Sequence, residues 1–171
     1  MAMVHHRYAT VGGHRLFYRE AGPPDGPVLV LLHGFPASSF MFRTLIPLLA
    51  DRYRVIAPDH LGFGWSDAPP AGEFGYSFDA LTDLSAGLLD RLGVGRYGLY
   101  VQDYGAPIGW RLALRDPAAI TAVVSQNGNG TTPGSSRASG RRSGTTSASR
   151  PRTPKPRSGR RSPSRRPAGS T

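Results

Sequence analysis

The stretch Tyr97-Gly-Leu-Tyr-Val-Gln-Asp-Tyr-Gly-Ala-Pro-Ile-Gly-Trp110 passes from strand-like residues directly into a helical pattern, with Asp103 at the corner. Gly105 lies just beyond the acid and Ala106 opens the helix. A strand that turns this tightly into a helix lifts the side chain at the corner clear of the sheet, the geometry of a nucleophile elbow. Serine is the usual occupant of such a corner; here it is a carboxylate. A helix N-cap is the simpler account of an aspartate at this place. It leaves the Gly105 spacing and the landmarks upstream unexplained.

Outward from the corner, strands and helices alternate. Val28–Leu32 is an unbroken apolar run closed by His33-Gly34, which reads as a strand buried on both faces. Arg54–Pro58 and Ile120–Gln126 read as further strands, the latter ending at Asn127-Gly128. Residues 7–11 and 14–20 flank Gly12-Gly13, a two-residue hairpin signal. Residues 39–49 place Phe40, Leu45, Leu48 and Leu49 at helical spacing, with Pro47 marking a kink. Ser77 or Asp79 caps a second helix running to about Leu92, with Leu81, Leu84, Leu88, Leu89 and Leu92 as its buried stripe. A third helix covers residues 106–115. The alternation predicts an α/β fold, a mostly parallel sheet of about six strands with right-handed crossovers.

Composition divides the 171 residues at about position 130. Residues 131–171 are 10 Arg, 10 Ser, 6 Thr, 6 Pro, 5 Gly, 3 Ala and 1 Lys, with no acid and no aromatic. This tail holds 11 of the 21 basic side chains and none of the 11 acids, so the first 130 residues carry 10 basic against 11 acidic groups. The strong positive charge is therefore the tail's own and not a basic face of the folded part. A segment without apolar side chains cannot offset its ordering entropy, and disorder is expected for it. Zero cysteines exclude disulfides and thiolate metal sites. No apolar run approaches the roughly 18 residues that span a bilayer, and the N-terminus lacks the apolar core of a secretory signal. A cytoplasmic location is expected, and the glycosylation-like Asn129-Gly130-Thr131 carries no weight.

Two glycine-rich segments invite nucleotide readings and fail them. Residues 59–67 lack the Lys-Ser/Thr ending of a phosphate-binding loop. Gly93-Val-Gly-Arg-Tyr-Gly98 matches G-x-G-x-x-G but follows a helix and precedes a strand, the reverse of a dinucleotide site. The first reads as a shaped loop beside the site, the second as a helix stop and strand entry.

Four landmarks stand in order: His33-Gly-Phe-Pro36, Asp59-His-Leu-Gly-Phe-Gly-Trp-Ser66, the corner at Asp103, and Gln126-Asn-Gly128. In this order and spacing the chain resembles the alpha/beta-hydrolase family over residues 7–130, in the branch of epoxide hydrolases and haloalkane dehalogenases. The resemblance implies that Asp103 is a nucleophile and that the backbone N–H groups of Phe35 and Tyr104 form an oxyanion hole. Gly34 allows the close backbone approach and Pro36 stiffens the turn, while His33 supports the loop through hydrogen bonds rather than serving as a base. Phe63, Trp65 and Tyr104 are expected to line a pocket, and Trp110 to join the core.

A carboxylate at the corner needs no base to attack a saturated carbon, and it then forms an alkyl ester that activated water must hydrolyse. The resemblance implies no metal and no organic cofactor, and a small-molecule substrate. Dehalogenases of the family carry Trp after the nucleophile and Asn in the oxyanion loop; Tyr104 and Phe35 stand there, and fluoroacetate-type enzymes carry an Arg that is absent. The His-Gly-Phe-Pro form favours an epoxide, with a haloalkane as the alternative. The family's triad also needs an acid and a histidine after the nucleophile. The last acid here is Asp116, and the histidines are His5, His6, His14, His33 and His60. The chain as it stands is thus expected to turn over at most once.

The tail's vocabulary is that of GC-rich codons read out of frame, and a one-base shift allows a continuation resembling a helical lid. A gene sequence with one long uninterrupted frame and no shifted continuation would sink that idea. Taken at face value, the tail is a basic arm that binds polyanions weakly and with steep salt dependence, without aromatic residues for base stacking. A third expectation is a non-catalytic fragment, poorly soluble because the strand at Ile120–Gln126 is left with an open edge.

Overall fold

The computed structural model describes residues 2–128. Six strands form one sheet: β1 (His5–Val11), β2 (His14–Ala21), β3 (Val28–Leu32), β4 (Arg54–Pro58), β5 (Tyr97–Gln102) and β6 (Ile120–Gln126). Their order across the sheet is β1-β2-β4-β3-β5-β6. β1 and β2 are an antiparallel hairpin about Gly12 and Gly13, whose φ values of 56° and 84° are those a tight two-residue turn demands. β2 is antiparallel to β4, while β4, β3, β5 and β6 run parallel. The expected α/β sheet is the one observed.

Helices cover both faces. α2 (Phe78–Arg91) and α3 (Gly105–Arg115) pack on one, and the short α1 (Leu45–Leu49) with a 3-10 turn at Ser39–Phe42 packs on the other. β3 shows why an unbroken apolar run was needed. Val30 and Leu32 join the cluster under α2 and α3, and Leu31 joins the cluster around Phe42 and Ile46. Ser77, not Asp79, caps α2, its hydroxyl accepting from the Ala80 N–H at 3.1 Å. The α2 stripe of Leu81, Leu84, Leu88 and Leu89 is buried, and Leu92 packs at its margin. Leu88 is wholly buried, so Leu88→Ala costs about 2–5 kcal/mol.

The single helix expected over residues 39–49 is a 3-10 turn followed by α1. Pro47 is the physical reason: it has no N–H, and its ring clashes with the carbonyl four residues earlier. The helix restarts at Leu45, so Pro47 falls in its first turn, where no N–H bond is needed. The restart also shifts the apolar phase. Phe42 and Ile46 are buried, whereas Phe40 and Leu48 are exposed at 54% and 78%.

β6 pairs with β5, and Thr121 through Gln126 are exposed. Among the described residues no helix is long and apolar enough to cross a membrane. The basic tail and the frame-shift reading lie outside the described residues.

Candidate active site

α3 meets β5 at Asp103, whose φ of 47° places it in the left-handed region. For a residue with a Cβ that conformation costs roughly 1–2 kcal/mol, and the packing around the corner enforces it. A Cβ on Gly105 would run into the Leu32 carbonyl, and one on Gly109 into Val101, so α3 lies flush on β3 and β5 only with glycine at both. The N-cap account of Asp103 fails on geometry. Its carboxylate makes no bond to the N–H groups of the first helical turn, and α3 has no side-chain cap.

The Asp103 carboxylate instead faces two main-chain donors. The Phe35 N–H donates to Oδ1 at 2.8 Å and the Tyr104 N–H to the same atom at 2.7 Å. Such charge-assisted bonds are about twice as strong as neutral ones. Gly34 makes the approach possible, because a Cβ there would overlap Asp103 and the Gln102 side-chain carbonyl. The loop closes with the Ala37 N–H donating to the Gly34 carbonyl at 2.9 Å, across a cis Phe35–Pro36 bond.

Behind this loop lies a buried junction. His33 Nδ1 donates to the Gly34 carbonyl at 3.0 Å, and its Nε2 accepts the His60 N–H at 3.1 Å. His60 Nε2 donates back to the His33 carbonyl at 3.1 Å. These contacts fix one tautomer for each ring and leave His33 no nitrogen for Asp103. Burial lowers the His33 pKa. It lowers that of His60 further, to about 3, with the neighbouring His33 adding to the effect. His60 Nδ1 is buried without a hydrogen-bond partner.

Asp59 completes the junction. It is 1% exposed; Oδ1 accepts the Ser39 N–H at 2.6 Å and Oδ2 the Trp65 N–H at 2.9 Å. A Cβ on Gly64 (φ 55°) would collide with the Asp59 carboxylate, so the glycine-rich loop is wound around an acid and not around a phosphate. Ser66 Oγ donates to the Asp59 carbonyl at 2.7 Å and accepts the Phe17 N–H at 2.9 Å, tying the loop to β2.

Beside Phe35 and Tyr104, the two residues whose N–H groups hold Asp103, is an open cleft of about 600 Å³. Phe35, Phe63, Tyr76, Phe78, Leu81 and Tyr104 form its apolar walls, with Ser77, Asp79 and Arg111 contributing polar groups. Phe35 and Tyr104, which hold Asp103 through their backbones, thus present their rings to the cleft. Phe63 lines it as well. Trp65 does not: its ring is 66% exposed, and its N–H belongs to the Asp59 junction. Pro36 faces a smaller pocket with Ser38, Phe40 and Arg43. Trp110 packs against the core cluster with its Nε1 unpartnered. Reasoning from sequence missed Tyr76, Phe78 and Arg111. The signal for the first two was a pair of aromatics flanking the Ser77 cap, and Arg111 had none.

A mostly parallel sheet with an acid on a strand-to-helix corner, held by main-chain donors from a neighbouring loop and from the next residue, defines a class, and residues 27–154 match the alpha/beta hydrolase fold family. The chain belongs to that family. It is 48% identical over 124 residues to an uncharacterised hydrolase of Saccharomyces cerevisiae, covering 72% of this chain and 42% of the yeast protein. It is 42% identical over 115 residues to a haloalkane dehalogenase of Mycolicibacterium paratuberculosis, covering 67% of this chain and 38% of that protein. The crystal structure of an epoxide hydrolase from Vigna radiata superposes with a TM-score of 0.66 at 37% identity, over 71% of this chain and 39% of that one. The chain spans about two fifths of the length of the curated relatives it matches.

Proposed function

We propose that Asp103 is the nucleophile of an epoxide hydrolase-like reaction and that the 171 residues as they stand carry out its first, covalent half. The observation that carries this reading is the convergence of the Phe35 and Tyr104 N–H groups on one oxygen, Oδ1. The two donors mark Oδ1 as the future ester carbonyl and leave Oδ2 to attack. Oδ2 bonds to a ring carbon of the epoxide, the carbon–oxygen bond breaks toward oxygen, and that oxygen takes a proton from water. The product is a 2-hydroxyalkyl ester of Asp103. In hydrolysis the charge that develops on Oδ1 meets the same two N–H groups.

Hydrolysis needs a base to deprotonate water, and no histidine follows Asp103 in these 171 residues. His33 and His60 are committed to the buried junction, and His5, His6 and His14 lie on the β1–β2 hairpin. The ester is therefore expected to accumulate. A haloalkane is the second reading, favoured by the dehalogenase among the relatives. Phe35 offers no side-chain donor for the departing halide, which places it behind the epoxide. A cytoplasmic setting, and non-specific polyanion binding by the tail, belong to this proposal too.

Intact-mass spectrometry after incubation with an epoxide and, separately, a 1-haloalkane tests the reading. The expected result is one adduct per chain, mapped to Asp103, absent from Asp103→Asn, and no product beyond one equivalent. Sustained turnover would overturn the single-turnover claim, and adducts that survive Asp103→Asn would overturn the assignment of the nucleophile.

A further inference from the structure

We infer that the aromatic cleft takes the apolar substituent of the electrophile, an aryl or medium-chain alkyl group, and that Phe78 sets this preference; the inference rests on the reading of Asp103 as nucleophile. Phe35 and Tyr104 connect the two sites. Their backbones hold Oδ1 and their rings, 5.6 Å apart, begin the cleft wall. A substituent on a carbon facing Asp103 meets these rings first.

Size excludes the smallest substrates as the best fit. A cavity of roughly 150 Å³ accommodates benzene, and the cleft holds about 600 Å³. A methyl group would leave it mostly to water, whereas an aryl or alkyl chain removes water from apolar walls on both sides.

Charge excludes an anionic group. Arg111 is the cation at the cleft, and its Nε donates to Asp79 Oδ1 at 2.6 Å while Nη1 donates to the Pro107 carbonyl at 3.1 Å. Its charge is already answered within the protein. Its guanidinium lies 5.7 Å from the centre of the Phe78 ring, so its contribution is to hold that ring. Phe78 stands at the first position of α2, just after the Ser77 cap, and meets Tyr104 edge-on at 5.3 Å and 80°. It is a rigid aromatic wall on a helix, opposite the oxyanion loop.

The test has two arms. In the first, the rate of Asp103 labelling is measured with styrene oxide and with propylene oxide, for the wild type and Phe78→Ala. Phe78→Ala should slow styrene oxide about fivefold or more and change propylene oxide less than twofold. In the second, binding of 1-phenyl-1,2-ethanediol is followed by ligand-observed NMR, which needs no reaction, and its Kd should rise about fivefold in Phe78→Ala. Phe78→Leu, which keeps an apolar side chain, replaces Phe78→Ala in both arms if circular dichroism shows the latter unfolded. Equal slowing of both epoxides, or diol binding indifferent to Phe78, overturns the inference. Diol binding lost on substitution in a protein that no epoxide labels would uphold the cleft and remove the nucleophile.

Discussion

The two sides of the His33–Pro36 loop are built on opposite principles. Behind it, His33, Asp59 and His60 are buried and bonded to backbone groups, which fixes the three side chains even though His60 Nδ1 has no partner. In front, Phe35 and Tyr104 are exposed at 60% and 44%, and their rings touch other aromatic rings of the cleft, Phe63 and Phe78 among them. The rear is where geometry is fixed; the front is where the proposed function places the ligand. Substitutions behind the loop should therefore read out in stability, and substitutions in front should read out in ligand selection with the melt unchanged.

The largest effect should come from Asp59→Ala. It leaves the buried Ser39 N–H and the part-buried Trp65 N–H without their acceptor, each costing about 1–3 kcal/mol, so a loss of roughly 3–5 kcal/mol is expected in urea melts. A loss below about 1 kcal/mol would mean that water replaces the carboxylate and the rear is less closed than described. Gly34→Ala comes next. The new methyl overlaps Asp103 and Gln102, which should cost roughly 2–3 kcal/mol and abolish labelling of Asp103 together with it.

Acid should also act on the rear. The unfolded chain protonates His60 near its ordinary 6.5, while the folded chain holds it neutral down to about 3. Stability is then complete above 6.5 and is lost as pH falls through this window, by about 1.4 kcal/mol per pH unit for this group. His33, shifted in the same direction, adds to the loss. Urea midpoints between pH 7 and 5 measure it, and a flat profile would contradict the buried neutral pair. The smallest effect belongs to the surface. Trp65→Phe keeps the backbone N–H on Asp59 and should move the melt by less than about 0.5 kcal/mol.

The sheet was legible because its strands declare themselves locally. Val28–Leu32 is apolar on both faces and Gly12-Gly13 marks a hairpin, so the order of elements followed without tertiary information. The break after Phe42 was not, because Pro47 acts on the carbonyl of Arg43, one turn earlier than the kink was placed. Asp103 stood out because a tight strand-to-helix corner is a local pattern. The far side of the cleft did not, because Tyr76, Phe78 and Arg111 come from a loop and two helices whose meeting depends on how α2 and α3 pack. The role of Asp59 was hidden for the same reason: its partner Ser39 is 20 residues away.

The hydrogen bond from Phe35 to Asp103 joins residues 68 apart, across the pairing of β3 with β5. No local folding event can make it; the parallel ladder at the centre of the sheet must close first. The Phe35 amide proton is thus a built-in clock for that closure. In hydrogen exchange it should lose protection together with Val30 and Leu99, so that assembling the site and completing the middle of the sheet are recorded as one event.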